Sequence, residues 1–226
     1  MINFEQYLLE RKSSSAGQQP KRKVNIEQLK QMIANKDSDI AGVDVSDITD
    51  MRELFKGSDF GGSWTADLSG WDTSKVVDMS WMFYGCTSLE QVSLPHTEKV
   101  EDMSNMFRGC TNLKEVSLPH TEKVENMSWM FRGCTSLEQV SLPHTEKVED
   151  MGSMFDGCKK LKKVELPHTE NVTDMSYMFN GCENLQQDFS SWNIRKVKDK
   201  TNMFKGCTKI QTAKMNGKRY YPKGYK

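Results

Sequence analysis

The chain has 226 residues, 36% hydrophobic and 27% charged, so it carries enough apolar side chains for a folded core, and wholesale disorder is excluded. The formal net charge is zero, yet residues 37–194 carry 13 Lys/Arg against 27 Asp/Glu, whereas residues 1–36 carry 7 against 3 and residues 195–226 carry 11 against 1. An acidic body between basic ends predicts head-to-tail self-association or contact with an acidic partner, with a protein favoured over nucleic acid.

The first ten residues, MINFEQYLLE, lack the basic start and the uninterrupted apolar core of a signal peptide. No later run approaches the roughly 20 apolar residues of a membrane helix. We therefore predict no membrane segment and a cytoplasmic or virion-associated location rather than surface display. Residues 1–10 also resemble the short amphipathic N-terminal segments of tailed-phage proteins, and Leu8-Leu9-Glu10 fits the L-x-E pattern that T-even-like prohead proteases cut. This resemblance implies a phage virion or host-interaction protein and leaves open whether residues 1–10 are removed.

The next two segments lead into the body of the chain. Residues 11–23, RKSSSAGQQPKRK, are polar and basic, which predicts a flexible linker. Residues 24–36, VNIEQLKQMIANK, have the spacing of an amphipathic helix, with Asn25 as its N-cap. The apolar stripe of this helix contains Ile26, Leu29, Met32 and Ile33. We predict that residues 24–42 form a helical cap on the array of repeats that follows.

The body of the chain is an internal repeat of 24 residues. One methionine position marks the register, and successive copies are separated by 28, 24, 24, 24, 24 and 25 residues. These anchor positions are Met51, Met79, Met103, Met127, Met151 and Met175, with Lys200 at the same position of the last copy. Copies 89–112 and 113–136 differ at five positions. A fixed period of this length indicates stacked coils that bury their apolar sides against each other.

Each coil combines two apolar patterns. In the coil that begins at Leu89, Val92 and Leu94 alternate as in a short strand. Its second half has apolar side chains three and four residues apart, which is the spacing of one helical face. Asp102 suits the N-cap of such a helix, and Gly109 suits the left-handed position that closes it. The sequence therefore predicts one short strand and one short helix in every coil.

The joined patterns LxxVxLP and VxxMxxMFxGC resemble the BspA-like branch of the leucine-rich repeats, known from bacterial surface lipoproteins. The resemblance covers residues 43–215. It implies an α/β repeat fold, a right-handed solenoid of about seven coils with one parallel strand and one helix per coil, and an N-terminal helical cap. The composition of residues 216–226 separately predicts a basic, tyrosine-rich tail. Members of this family are described as binding or adhesion modules, so a bacterial surface adhesin is an alternative function.

Two further residue types recur once per coil. Six cysteines lie seven residues after each anchor from Met79 onward, and we predict that they are reduced, buried core residues rather than disulfides or metal ligands. They are Cys86, Cys110, Cys134, Cys158, Cys182 and Cys207. All four histidines follow a proline in the sequence LPHTE, and we predict solvated turn residues there, with a pH effect or a metal site as alternatives. They are His96, His120, His144 and His168.

Two surfaces are candidates for partner binding. The position two residues after the anchor holds Trp81, Trp129 and Tyr177 in alternate coils. In a helical turn this position faces away from the buried methionines, which predicts exposed interface anchors; packing against a neighbouring turn is the alternative. The outward strand positions form the second candidate, and they include Gln91, Glu115, Gln139 and Lys163.

No phosphate loop, nucleophile elbow or metalloprotease motif occurs in the sequence. No serine or cysteine is singled out beside a histidine, because every histidine belongs to a repeat position. The sequence thus predicts a protein that is not an enzyme, has no cofactor and no metal, and acts as a scaffold for protein–protein interaction.

Overall fold

The computed structural model describes residues 21–59, 64–210 and 213–220. The predicted segment 1–10, most of the predicted linker and the end of the predicted tail lie outside the described residues. The elements in chain order are helix α1 (Ile26–Ala34), a 3-10 helix (Ser38–Gly42), and strands β1 (Trp64–Asp67), β2 (Leu89–Ser93), β3 (Glu115–Ser117), β4 (Gln139–Ser141), β5 (Lys163–Glu165), β6 (Ala213–Met215) and β7 (Lys218–Tyr220).

Helix α1 begins with a complete capping box. The Asn25 side chain accepts a hydrogen bond from the Gln28 backbone N–H, and the Gln28 side chain accepts one from the Asn25 N–H, so Asn25 is the N-cap, as predicted. Leu29, Met32 and Ile33 are buried. That this segment acts as a cap for the repeat array stays a prediction. No helix in the described ranges is long and apolar enough to cross a membrane.

The strands of the repeat pair in parallel, as predicted for a stacked array. One sheet has the order β1-β2-β3, and β4 pairs with β5 in a second sheet. The pairing joins equivalent residues of neighbouring coils, such as Val92 with Val116 and Val140 with Val164. Val92, Val140 and Val164 are buried, because alternate residues of a strand face opposite sides and this side faces the core.

The predicted helix in each coil is wrong. From the anchor methionine to the cysteine, the chain forms consecutive tight turns, and no helix is assigned within residues 43–59, 64–210 or 213–220. In the coil of Met127, the N–H groups of Met130, Arg132 and Cys134 donate to carbonyl groups three residues earlier. A second set of N–H groups donates to the next coil. These are Met127 to Asp150, Trp129 to Gly152, Phe131 to Met154 and Gly133 to Asp156.

Two left-handed residues in each coil explain why a helix cannot form. Trp129 has φ 62° and Gly133 has φ 75°, and the same two positions have positive φ in all seven copies. A right-handed helix requires negative φ at every residue, so these residues interrupt it and turn alternate N–H groups toward the next coil. The prediction of a left-handed glycine at position 109 is confirmed, with φ 79°, although this glycine closes a turn rather than a helix.

Each coil contributes one phenylalanine to a continuous stack through the core. Adjacent rings lie 5.0–5.7 Å apart between centroids, with interplanar angles of 2–8°. The stack contains Phe55, Phe83, Phe107, Phe131, Phe155, Phe179 and Phe204. The six cysteines are free and buried, as predicted, and each thiol lies 2.9–3.1 Å from the backbone oxygen of a phenylalanine in the preceding coil.

Strands β6 and β7 form an antiparallel hairpin that the sequence analysis does not predict. Its turn consists of Asn216 and Gly217, with φ 47° and 72°. An Asn-Gly pair with both residues in the left-handed region is the preferred two-residue hairpin connection. This dipeptide is the signal that identifies the hairpin within a segment otherwise interpreted as the end of the array and the start of a basic tail.

Candidate interaction surface

The position two residues after each anchor forms a column along one side of the array. Trp81, Trp129 and Tyr177 occupy it in alternate coils, with φ values of 61°, 62° and 55°. The coils between them place Asn105 and Ser153 in the column, which are smaller and buried. We call Trp81, Tyr84, Trp129 and Tyr177 the aromatic face. The array thus holds Trp81, Trp129 and Tyr177 two coils apart, and the Tyr84 ring lies 4.9 Å from the Trp81 ring in the same coil.

The predicted exposure of these aromatics is correct only for Tyr177, which is 38% exposed. Trp81 and Trp129 are half-buried. The prediction assumed a helical turn, which would point this position directly away from the core. In the left-handed backbone the side chains lie along the surface instead, where neighbouring coils cover part of each ring.

Cationic side chains cover the two tryptophans. The Lys56 ammonium lies 5.4 Å from the Trp81 ring centroid, and the Arg108 guanidinium lies 5.9 Å from Trp81 and 4.9 Å from Trp129. The Arg132 guanidinium lies 4.5 Å from Trp129. Guanidinium and ammonium groups are attracted to the negative faces of aromatic rings. These stacks hold the tryptophans in place, and sequence reasoning missed the contacts of Lys56 and Arg108 because they join residues of different coils.

Two cavities open on this side of the array. The larger, about 900 Å³, lies between α1 and the first coils and is bordered by Lys30, Arg52 and Trp81 among others. The smaller, about 470 Å³, lies between Trp129 and Tyr177. We call the smaller cavity the notch, and its other lining residues are Arg132, Asp150, Gly152, Ser153, Asp156, Asp174, Ser176 and Asn180.

A column of six aspartates and one asparagine runs beside the aromatic face, at the position before each anchor. Parallel β-bridges join its neighbouring members, and each side chain accepts a hydrogen bond from the backbone N–H two residues later, which fixes the first turn. We call it the acidic column. It contains Asp50, Asp78, Asp102, Asn126, Asp150, Asp174 and Asp199. The prediction of an N-cap at Asp102 is therefore wrong, because its side chain closes a turn and not a helix.

Asp150 lies between Asn126 and Asp174 in this column. Burial raises the pKa of its carboxyl group, and the neighbouring charges of Asp174 and Asp102 raise it further. The column residue one coil earlier is the neutral Asn126. Its side-chain nitrogen donates a hydrogen bond to a carboxylate oxygen of Asp102 at 3.4 Å. The amide group therefore relieves like-charge repulsion in one part of the acidic column, whereas Asp150 does not.

We expect Asp150→Asn to stabilise the fold at pH 7, by a few tenths to about 1 kcal/mol, which is the range for directly opposed charges on neighbouring strands. Because the folded pKa of Asp150 lies above its ordinary value of 3.8, ionised Asp150 weakens the fold above the folded pKa. The advantage of the variant should therefore shrink as the pH falls toward 3.8. Urea unfolding from pH 7 to pH 4 measures both effects.

The matched control is Asp199→Asn at the end of the same column. Hydrogen bonds from Thr201 lower the pKa of Asp199, so its charged form is favoured in the fold. Removing this charge should not stabilise the protein at pH 7. Equal stabilisation by both substitutions would contradict the role assigned to the neighbours of Asp150.

The strand surface is the second predicted candidate, and the structure brings its residues together in pairs. Gln91 is paired in register with Glu115, and Gln139 with Lys163. The Gln91 side chain lies 3.3 Å from Glu115, and Lys163 forms an exposed ion pair at 2.6 Å with Glu165. We call these four positions the strand face. Glu115 and Gln139 border a cavity of about 540 Å³, but no aromatic side chain lines it.

The four histidines of the LPHTE segments are partly exposed and bordered by glutamates, and we call them the histidine column. His120 lies 3.2 Å from Glu122 in its own coil, and His168 lies 3.3 Å from Glu146 of the preceding coil. The backbone beside these rings is fixed by a row of buried threonines that sequence reasoning missed, such as Thr145, which donates to the His168 carbonyl at 2.7 Å. In the described part of the chain, no three His, Cys, Asp or Glu side chains are grouped as metal ligands.

Comparisons with known proteins give a family match and similar solved structures, among them two leucine-rich repeat proteins. The model of the family described as "Mycoplasma protein of unknown function, DUF285" matches residues 24–142 and 125–218. The T. pallidum Leucine Rich Repeat protein (TpLRR) is 27% identical, with a TM-score of 0.40 over 67% of this chain and 79% of that chain. A leucine-rich repeat protein from Bacteroides ovatus ATCC 8483 is 22% identical, with a TM-score of 0.34 over 49% and 34%. No curated protein matches. The BspA-like assignment stays a prediction.

Proposed function

Since the chain belongs to the family described as "Mycoplasma protein of unknown function, DUF285", we propose a function from its surface: it is a non-enzymatic scaffold that binds a protein partner along the aromatic face. The observation that carries the proposal is the row of aromatic groups held two coils apart and bordered by two cavities. Tryptophan, tyrosine and arginine are the residues most enriched at the energetic centres of protein interfaces.

The rigidity of the array supports this function. Each aromatic position is fixed by backbone hydrogen bonds to the next coil, and the tryptophans are also held by cations. A preorganised surface loses less side-chain entropy on binding than a mobile one. The strand face and the histidine column are less suited to the centre of an interface, because the first lacks aromatic groups and the second consists of solvated rings beside carboxylates.

The test compares partner capture by two variants. One replaces Trp81, Trp129 and Tyr177 with asparagine, which already occupies this left-handed position at residues 105 and 202. The other replaces His96, His120, His144 and His168 with glutamine. We expect the aromatic variant to lose at least tenfold in affinity, since a desolvated aromatic anchor contributes about 2 kcal/mol or more. The histidine variant should bind like the natural protein.

Both variants must unfold near the natural temperature for the comparison to apply. If the aromatic variant binds normally and the histidine variant fails, the aromatic face is the wrong surface. If both bind normally, the strand face becomes the candidate, and substitutions at Glu115 and Gln139 test it. Capture is measured from the native source, with the bound protein identified by mass spectrometry and its affinity measured with purified components.

The proposal also includes the handedness, coil number, repeat type and location of the scaffold. We propose a right-handed array of about seven coils of the BspA-like type, located in the cytoplasm or in a virion. The alternative functions are a phage virion or host-interaction protein and a bacterial surface adhesin. Two measurements separate them. N-terminal mass spectrometry of native material that shows a start at Arg11 supports prohead processing, and cell fractionation that finds the protein only at the cell surface supports the adhesin.

A further inference from the structure

The array contains two gaps between aromatic groups, and they are filled differently. The first gap lies between Trp81 and Trp129, with the coil of Asn105 between them. The second lies between Trp129 and Tyr177, with the coil of Ser153 between them. Both gaps have the same backbone, since all these residues share the left-handed position. Any difference between the two gaps therefore comes from the side chains that line them.

The first gap is filled by an arginine of the chain itself. The Arg108 guanidinium lies 5.9 Å from Trp81, 5.6 Å from Tyr84 and 4.9 Å from Trp129, measured to the ring centroids. Its nitrogen donates to the Asn105 side chain at 3.2 Å. A guanidinium group thus fits between aromatic groups two coils apart, with a polar side chain of the intervening coil as its acceptor.

The second gap has an acid where the first has Arg108. Asp156 occupies this position, and it pairs with Arg132 at 2.8 Å and accepts from Asn180 at 2.7 Å. These contacts hold Asp156 against its neighbours. The column residue is the small Ser153, and Gly152 replaces the serine found at this position in four other coils. The result is the notch of about 470 Å³, with Trp129 on one side and Tyr177 on the other.

The notch is acidic and holds too few cations to balance its acids. Asp150, Asp156 and Asp174 line it, and Arg132, the one cationic residue of the lining, is paired with Asp156. No lysine or arginine within residues 21–59, 64–210 and 213–220 forms an ion pair with Asp150 or Asp174. In the larger cavity the column aspartate has a cationic partner, because Arg52 forms an ion pair with Asp50 at 2.6 Å.

We infer that the notch binds an arginine side chain of the protein partner. The guanidinium would lie between Tyr177 and Trp129, whose ring Arg132 already covers in part at 4.5 Å, with Asp150 and Asp174 as its acceptors. Charge complementarity selects a cation, and the planar stack between aromatic groups selects arginine over lysine. This inference rests on the proposed scaffold function and specifies the chemistry of its partner.

The test uses a small probe, the peptide acetyl-Gly-Arg-Gly-amide, so it does not require the partner. Titration is followed by NMR at the indole N–H of Trp129, assigned with the Trp129→Asn variant. We expect a Kd of about 1–10 mM, because a single guanidinium in an open site gains little beyond one ion pair and two ring contacts. The same peptide with citrulline, which has the same shape and no charge, should bind at least fivefold more weakly.

Three variants locate the site. Ser153→Asn with Asp156→Arg introduces the asparagine and the arginine that fill the first gap, so the chain should fill its own notch and peptide binding should be lost. Asp150→Asn with Asp174→Asn should weaken binding at least fivefold. Urea unfolding of this double variant checks that the loss does not reflect unfolding. The matched control is Asn105→Ser, which makes the first gap resemble the second at one residue and should leave the affinity unchanged.

Three results would overturn the inference. They are no shift of the Trp129 signal at peptide concentrations tenfold above the expected Kd, equal binding of the citrulline peptide, and full binding by the self-filled variant. The scaffold proposal fails separately. If the peptide binds but partner capture does not depend on the aromatic face, the notch stands and the proposed function does not; the reverse result removes the notch alone.

Discussion

Replacing Phe131 with alanine is expected to lower the free energy of unfolding by about 3–5 kcal/mol, the usual cost of removing a large aromatic side chain from a tightly packed core. Phe131 is fully buried in the middle of the phenylalanine stack. Its ring lies 5.5 Å from those of Phe107 and Phe155, with interplanar angles of 8° and 5°. The substitution leaves a cavity and also removes two ring contacts.

The consequence should extend beyond one coil. In a stacked array each coil is stabilised mainly by its two neighbours, so a cavity in the central coil weakens both halves. Urea unfolding and hydrogen exchange measure the loss. The control is Tyr177→Asn on the exposed aromatic face, where the change should remain within about 0.5 kcal/mol. Equal unfolding of the Phe131→Ala variant and the natural protein would contradict the stack.

The six thiols of the folded protein are expected to react with a disulfide reagent at pH 8 at least about 10³-fold more slowly than in the unfolded chain. Burial raises the pKa of Cys86 and of Cys207 to about 12. Burial likewise holds the pKa values of Cys110, Cys134 and Cys182 well above the ordinary range. Only the thiolate reacts, and at pH 8 such a shift lowers its fraction about 10³-fold relative to an ordinary thiol of pKa 8.5.

Thiol counting provides the control for this experiment. All six thiols should react promptly in denaturant without any reductant, because all six are free. We expect the Phe131→Ala variant to react faster than the natural protein, since opening of the array exposes the neighbouring Cys134. A thiol that reacts rapidly in the folded protein would show that the six cysteines are not all buried. Fewer than six reactive thiols in denaturant would show that they are not all reduced.

The register and the core of the fold can be predicted from the sequence, because the repeat of 24 residues identifies equivalent positions. The anchor methionines, the phenylalanines and the cysteines are buried where the pattern places them. The repeat pattern could not distinguish the predicted short helix of each coil from the series of turns that the structure has there. Both return apolar side chains to one side every three or four residues, so the spacing alone fits either structure.

The missing signal lies in the residues that take positive φ. Asn105 and Asn202 hint at a left-handed position, because asparagine tolerates this conformation better than other residues with a side chain. Trp81, Trp129 and Tyr177 at the same position argue against a left-handed conformation, since tryptophan and tyrosine rarely adopt positive φ. Hydrogen bonds to the next coil impose this conformation, and they follow from stacking rather than from any local preference.

The notch could be predicted only in part. The sequence shows Arg108 and Asp156 at the same position of two coils, and Ser153 between Trp129 and Tyr177 in one column. It does not show that Arg108 contacts three rings, or that the equivalent space beside Asp156 is open. Those facts depend on side chains of successive coils lying side by side, which requires the stacking geometry itself.

Site-specific cross-linking tests the central claim most directly. A photoreactive phenylalanine derivative replaces either Tyr177 on the aromatic face or Glu115 on the strand face, both of which are exposed. Each variant is irradiated in the native extract, and the cross-linked proteins are identified by mass spectrometry. A scaffold that binds its partner along the aromatic face predicts one dominant cross-linked protein from position 177, competed by acetyl-Gly-Arg-Gly-amide, and none from position 115. The same partner captured only from position 115 would contradict it.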